Sequence, residues 1–161
     1  MLLSRLLLLN FALAAYLTGV IWVVQLVVYP ALALVGKGEF TRYHAAHTQG
    51  MSWVVGAPMV LELALAGWLA WAAYPAWGAS PALGQLALVG LVWAVTFFIS
   101  VPFHNRLEAG GYNYIVIDGL ARTNWLRTLA WTARIVWLGW LLWKMLPDSE
   151  ALGSNIPASA P

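Results

Sequence analysis

The sequence predicts an all-α integral membrane protein: a bundle of four spanning helices, with short interfacial helices in the first and third connections. Three observations carry this reading. Hydrophobic residues make up 62% of the 161 and charged ones only 9%, against roughly 25% charged in a soluble domain. The charges fall mostly between four apolar runs, residues 6–35, 51–74, 82–103 and 123–145, each able to supply the about 20 helical residues that cross a bilayer core. Two charges lie deep inside those runs, Glu62 in the second and Arg134 in the fourth. An ionised group at mid-bilayer is costly, so each marks a functional site until a partner explains it.

The first run opens like a secretory signal, with Arg5, then Leu6 to Leu9, then Ala12-Leu13-Ala14. It continues apolar to Val35, beyond a signal's h-region of about 7–15 residues, and reads as an uncleaved first span. In the connection from Gly36 to Gly50, Phe40, Tyr43, His44 and His47 fall at i, i+3, i+4 and i+7, so an interfacial helix there aims all four to one side. Pro75 to Pro81, uncharged and holding Gly78, predicts a tight turn that makes spans two and three antiparallel neighbours. The third connection, His104 to Arg122, has Ala109-Gly110-Gly111 followed by a second candidate interfacial helix from Tyr112 to Ala121. The tail 147–161 is polar and without apolar periodicity, and alone is expected to be disordered.

Pro30, Pro58 and Pro102 stand near one end of their spans. A proline inside a helix frees a carbonyl one turn earlier, and the kink opens room between helices at that level. Ordinary kinks compensated by packing are the simpler alternative. Of the eleven tryptophans, Trp53, Trp77, Trp125 and Trp143 suit an interfacial belt, whereas Trp22, Trp93 and Trp131 are interior and read as core.

Lys37, Arg42, Arg106, Arg122 and Arg127 flank the 1–2 and 3–4 connections, with only Arg5 and Lys144 opposite. The positive-inside rule then places both connections in the cytoplasm and both termini outside, in what is expected to be a bacterial inner membrane. The absence of cysteine excludes disulfides, thiolate metal sites and cysteine catalysis. A net charge of +2 without a basic cluster gives no reason to expect nucleic acid.

Glu62 is eleven residues past Met51 and Arg134 eleven past Thr123, roughly 16 Å at helical rise, and Gln25 is eleven before Gly36. A polar layer of Gln25, Glu62 and Arg134 follows, with Tyr29, Arg127, His44, His47 and His104 above it toward the cytoplasm. Asn124, Arg127 and Arg134 share a face of span four. The layer reads equally as an ion pair that holds helices together or as a catalytic centre, Glu62 accepting a proton under the control of Arg134 while Gln25, Tyr29 and Arg127 orient substrate oxygens. His44 and His47 at i, i+3, with His104, are candidate metal ligands. Haem between spans would need histidines inside them, and there are none; no cofactor is named by the residues.

Ser100-Val101-Pro102-Phe103-His104-Asn105-Arg106-Leu107 and Thr123-Asn124-Trp125-Leu126-Arg127-Thr128, with Tyr29-Pro30, resemble the anthrone-oxygenase-like family of mostly uncharacterised four-span membrane proteins. The resemblance implies the four-helix layout and importance for Asn105, Arg127 and the Pro30 region. Two functions of different class follow from the sequence. One is a small intramembrane protein that binds or oxidises a lipophilic quinone-like or aromatic molecule. The other is a non-catalytic accessory subunit of a respiratory or photosynthetic complex, with other membrane subunits or further copies of itself as partners besides the lipid bilayer. A transporter has the buried charges but lacks an internal repeat.

Overall fold

The computed structural model describes residues 2–145, and every regular element within them is a helix, with no strand among the described residues. The tail 147–161 lies outside the described residues. Four long rods run through the molecule. The first is α1 (Leu2–Val23) continued by α2 (Tyr29–Leu32), the second α3 (Phe40–Met51) continued by α4 (Ala57–Trp77), the third α5 (Ala79–Val95) continued by α6 (Val101–Gly110), and the fourth the unbroken α7 (Tyr114–Lys144). Three of them, Leu2–Leu32, Phe40–Pro75 and Leu83–Gly110, are long and apolar enough to cross a membrane. α7 has the length too, but Asp118, Arg122, Arg127 and Arg134 punctuate it.

Each of the first three rods is interrupted by one five-residue turn wound to the wider π pitch: Val24–Val28, Ser52–Gly56 and Thr96–Ser100. The three share one sequence signature. Each turn ends two residues before a proline, Pro30, Pro58 or Pro102. The proline has no N–H to offer the carbonyl four residues back and its ring presses on that carbonyl. The turn widens to relieve this, and the N–H of the preceding residue reaches one further: Tyr29 bonds Val24 O and Val101 bonds Thr96 O. The carbonyl that Pro58 leaves unpaired, Val54 O, accepts from the Tyr16 hydroxyl at 3.1 Å. Wide turns of this kind concentrate at functional sites.

The predicted interfacial helices are present but not separate. Residues 40–51 run directly into the second apolar stretch, and 114–121 into the fourth. No proline stands at either junction, and the Asn113 side chain caps α7 by accepting from Ile115 N and Val116 N. The turn between α4 and α5 is as tight as predicted, a single non-helical residue, Gly78, whose φ of +76° suits glycine.

α1 packs on α4 and α7, and α5 likewise on α4 and α7. Two apolar cores result. Leu6, Leu7, Ala14, Leu69, Ala73, Leu138 and Leu141 form one; Leu17, Ile21, Val24, Leu32, Met59, Val92, Leu107, Leu120 and Trp131 belong to the other. The outward faces are also apolar, with Trp71, Phe98 and Val136 among the large side chains left exposed. At Gly84 the fit between α5 and α7 admits no side chain: a Cβ there would stand 2.6 Å from the far edge of the Trp137 indole. Gly84→Ala is therefore expected to lower stability by about 1–3 kcal/mol through overpacking, as thermal unfolding in detergent would show; an unchanged midpoint would mean the indole swings aside freely.

Candidate functional site

Two polar networks lie inside this apolar frame, and they differ in what they leave free. The deeper one contains Glu62 and Arg134. Arg134 Nη1 donates to Glu62 Oε1 at 2.7 Å, and both side chains are fully buried. The Trp131 indole N–H donates to the same carboxylate, 3.0 Å from Oε2. Arg134 Nη2 donates to Asn10 Oδ1 at 2.8 Å and Gln85 Oε1 at 3.3 Å. The two amides are in turn held by backbone carbonyls, Asn10 by Leu6 and Leu65, Gln85 by Ala66. Each of the four rods thus contributes, and the carboxylate is occupied from two sides.

Glu62 and Arg134 meet as the sequence predicts, but Gln25 does not join them. Its Oε1 accepts from Asn124 Nδ2 at 2.9 Å and its Nε2 donates to Ala121 O at 3.1 Å. The equal counts to Met51, Thr123 and Gly36 started from boundaries of composition, whereas the helices begin at Phe40 and Tyr114 and the first rod ends at Leu32. Measured from those ends, Gln25 lies nearer the 1–2 connection than the pair does.

The second network starts at Gln25 and Asn124 and runs to the histidines. Arg127 Nε donates to Asn124 Oδ1 at 3.0 Å, and Arg127 Nη2 to the Tyr29 hydroxyl at 3.0 Å. Tyr29 Oη lies 3.2 Å from His104 Nε2, and His104 Nδ1 lies 3.0 Å from His44 Nε2. An arginine can only donate, so the Tyr29 oxygen accepts from Arg127 and its own O–H is free to donate to His104 Nε2. With neutral rings, that direction corresponds to the Nδ1–H tautomer of His104, donating to His44 Nε2. His44 Nδ1 is buried and has no partner among the described residues.

This second network opens onto a cavity of about 490 Å³. Ile21, Val24, Met51, Val55, Met59, Trp93 and Phe97 give it an apolar body, and Tyr29, His47, His104, Asn105, Glu108 and Arg127 a polar end. All three wide turns contribute wall: Val24 from the first, Ser52, Val55 and Gly56 from the second, Thr96, Phe97 and Ser100 from the third. α4 and α5 pack together along their length, then the rods part at the wide turns, where exposed Val60, Phe97 and Val101 rim the opening. Of the lining residues Ser100 and Trp93, the polar atoms Oγ and Nε1 are themselves buried without a partner among the described residues.

The sequence-predicted site therefore divides. Tyr29, His47, His104, Asn105 and Arg127 line the cavity, Asn105 from an exposed position at its rim, and His44 stands directly behind. Glu62, Arg134 and Gln25 do not line it. The four residues expected on one face of the first connection also split: Phe40 and His44 are buried and His47 faces the cavity, but Tyr43 is 44% exposed. The candidate metal ligands converge, with ring centroids 5.2–6.4 Å apart. Their nearest ring nitrogens face each other as a hydrogen bond, and no group of three His, Cys, Asp or Glu among the described residues is placed to hold a metal ion.

Sequence reasoning missed Asn10 and Gln85 as partners of Arg134, and Ser100 and Trp93 as cavity polar groups. The first two carried a signal, since an amide inside an apolar run needs a partner as a charge does. Trp131, read as core, is core and also a donor to Glu62. Comparison with known proteins finds no matching family, no similar curated protein and no similar solved structure.

Proposed function

We propose that the chain is a multi-pass membrane protein, a bundle of four spanning helices, that binds a lipophilic ring-bearing molecule of quinone-like or aromatic type between its second and third rods. The observation that carries this is the cavity: apolar walls, a cluster of hydrogen-bonding groups at one end, and an opening flanked by apolar side chains. Binding sites for small molecules have this construction. The apolar outer surface supports residence in a bilayer, from which such a molecule could enter sideways past Val60, Phe97 and Val101. By the charge count, the polar end and the 1–2 and 3–4 connections face the cytoplasm, and both termini the opposite side.

In this reading Tyr29, His104 and Arg127 meet the oxygen of the ligand, and the Glu62–Arg134 network holds the rods that shape the cavity. The test is equilibrium dialysis of the purified protein, in zwitterionic nanodiscs, against a short-chain naphthoquinone, an uncharged member of the class. Saturable uptake of about one molecule per chain, reduced by Tyr29→Phe and His104→Ala, is expected. Uptake indistinguishable from that of empty nanodiscs would remove the proposal.

A further inference from the structure

Arg127 is 6% exposed, yet it belongs to none of the three ion pairs among the described residues, Arg42–Glu39, Arg122–Asp118 and Arg134–Glu62. The contrast with Arg134 is internal to one helix. Both arginines are buried on α7, but one has a carboxylate at 2.7 Å, whereas the other spends its Nε and Nη2 protons on the neutral oxygens of Asn124 and Tyr29. A guanidinium stays charged and has five N–H donors, so those bonds neither neutralise it nor exhaust it. A buried cation without a counter-ion is costly, and a cavity beside it is where a counter-ion can sit. Glu108 lines the same cavity, but it is exposed and outside ion-pair range of Arg127.

Resting on the binding function argued above, we infer that the occupant of the cavity is an acid: an apolar body carrying an anionic carboxylate or acidic phenol oxygen that pairs with Arg127. One further feature of the site fits such a head. The polar groups beside Arg127, Tyr29 and Asn124, hold it through neutral oxygens, and the chain goes on from Tyr29 to His104 and His44 without reaching a carboxylate. Charge-assisted bonds from an arginine fork to an anion are the strong ones, and they separate an anion from its neutral isostere.

The experiment compares 2-naphthoate with 2-naphthamide, which have the same shape and differ in charge, by equilibrium dialysis at pH 7 in zwitterionic nanodiscs. The acid is expected to bind about tenfold tighter or more, the factor that one charged hydrogen-bonded contact supplies. Arg127→Gln should bring the two within about threefold of each other, and Arg127→Lys, which keeps the charge, should retain the preference for the acid. The ratio is the readout, since a variant that only loosened the fold would weaken both probes alike. Equal binding of acid and amide to the unmodified protein, or a preference that survives Arg127→Gln, overturns the inference and leaves the naphthoquinone result standing by itself. If Arg127→Gln does not fold, the Arg127→Lys ratio and the unmodified ratio decide the matter: both must favour the acid. Adding phosphatidylglycerol to the nanodiscs then separates the sources, displacement of naphthoate assigning the anion to a lipid headgroup and undiminished binding assigning it to a free lipophilic acid.

Discussion

Glu62→Ala is expected to cost the folded protein about 3–5 kcal/mol, the penalty for leaving a buried charge without its partner. Arg134 is fully buried and would keep only the amide oxygens of Asn10 and Gln85 as acceptors, while the Trp131 indole N–H would lose its acceptor altogether. The double variant Glu62→Leu with Arg134→Met should recover most of the loss, because apolar side chains of similar volume can replace a buried pair. Recovery stays partial because Asn10 Oδ1 and Gln85 Oε1 then have no donor. Chemical unfolding in detergent, followed by circular dichroism, measures both. A Glu62→Ala protein as stable as the parent would show that water or another acceptor reaches Arg134. The same variants should leave ligand binding intact wherever they fold, since neither residue lines the cavity; this distinguishes a pair that holds helices together from a pair that does chemistry.

Gly56→Phe should weaken ligand uptake sharply without unfolding the chain. Gly56 lines the cavity from the second wide turn, at φ −63° and ψ −53°, a conformation open to any residue. A Cβ there meets nothing within 4 Å, so a larger side chain projects into free space. A benzyl group in that space excludes a ring-bearing molecule from the same volume. Affinity should fall about a hundredfold, the factor that a clash of about 3 kcal/mol implies. Gly67→Phe is the control: Gly67 also has open space but lies outside the cavity wall, and binding there should be unchanged. Uptake by Gly56→Phe equal to that of the parent would place the ligand elsewhere.

Much of the architecture was legible because apolar runs and prolines act locally. Four long helices and a tight turn at Gly78 each follow from what a few neighbouring residues permit, and Pro30, Pro58 and Pro102 mark where three of the helices are interrupted, though the widened form of those turns was not foreseen. The meeting of Glu62 and Arg134 was also legible, since two charges in long apolar runs have few partners but each other. Less was readable where depth had to be counted. Gln25 was matched to the pair by distance from Gly36, but it bonds Asn124 because helix ends, and not changes in composition, set the true origin of each count. His44, His47 and His104 were recognised as a group, but that His44 and His104 join a chain with Tyr29 and Arg127 while His47 stands outside it depends on where α3 and α6 come together.

By itself, the sequence determined the helical class, the apolar surface, the positions of the kinks and the polar residues that must find partners, because these depend on side-chain type and on separations of a turn or less. Only the tertiary structure decided which partners they found. It joined Arg134 to Glu62, Asn10 and Gln85, and left Arg127 facing a cavity with no carboxylate in ion-pair range among the described residues. Two arginines seven residues apart on one helix are alike in sequence terms. They part company because the rods packed against α7 bring a carboxylate to one of them, and because the wide turns hold those rods apart beside the other.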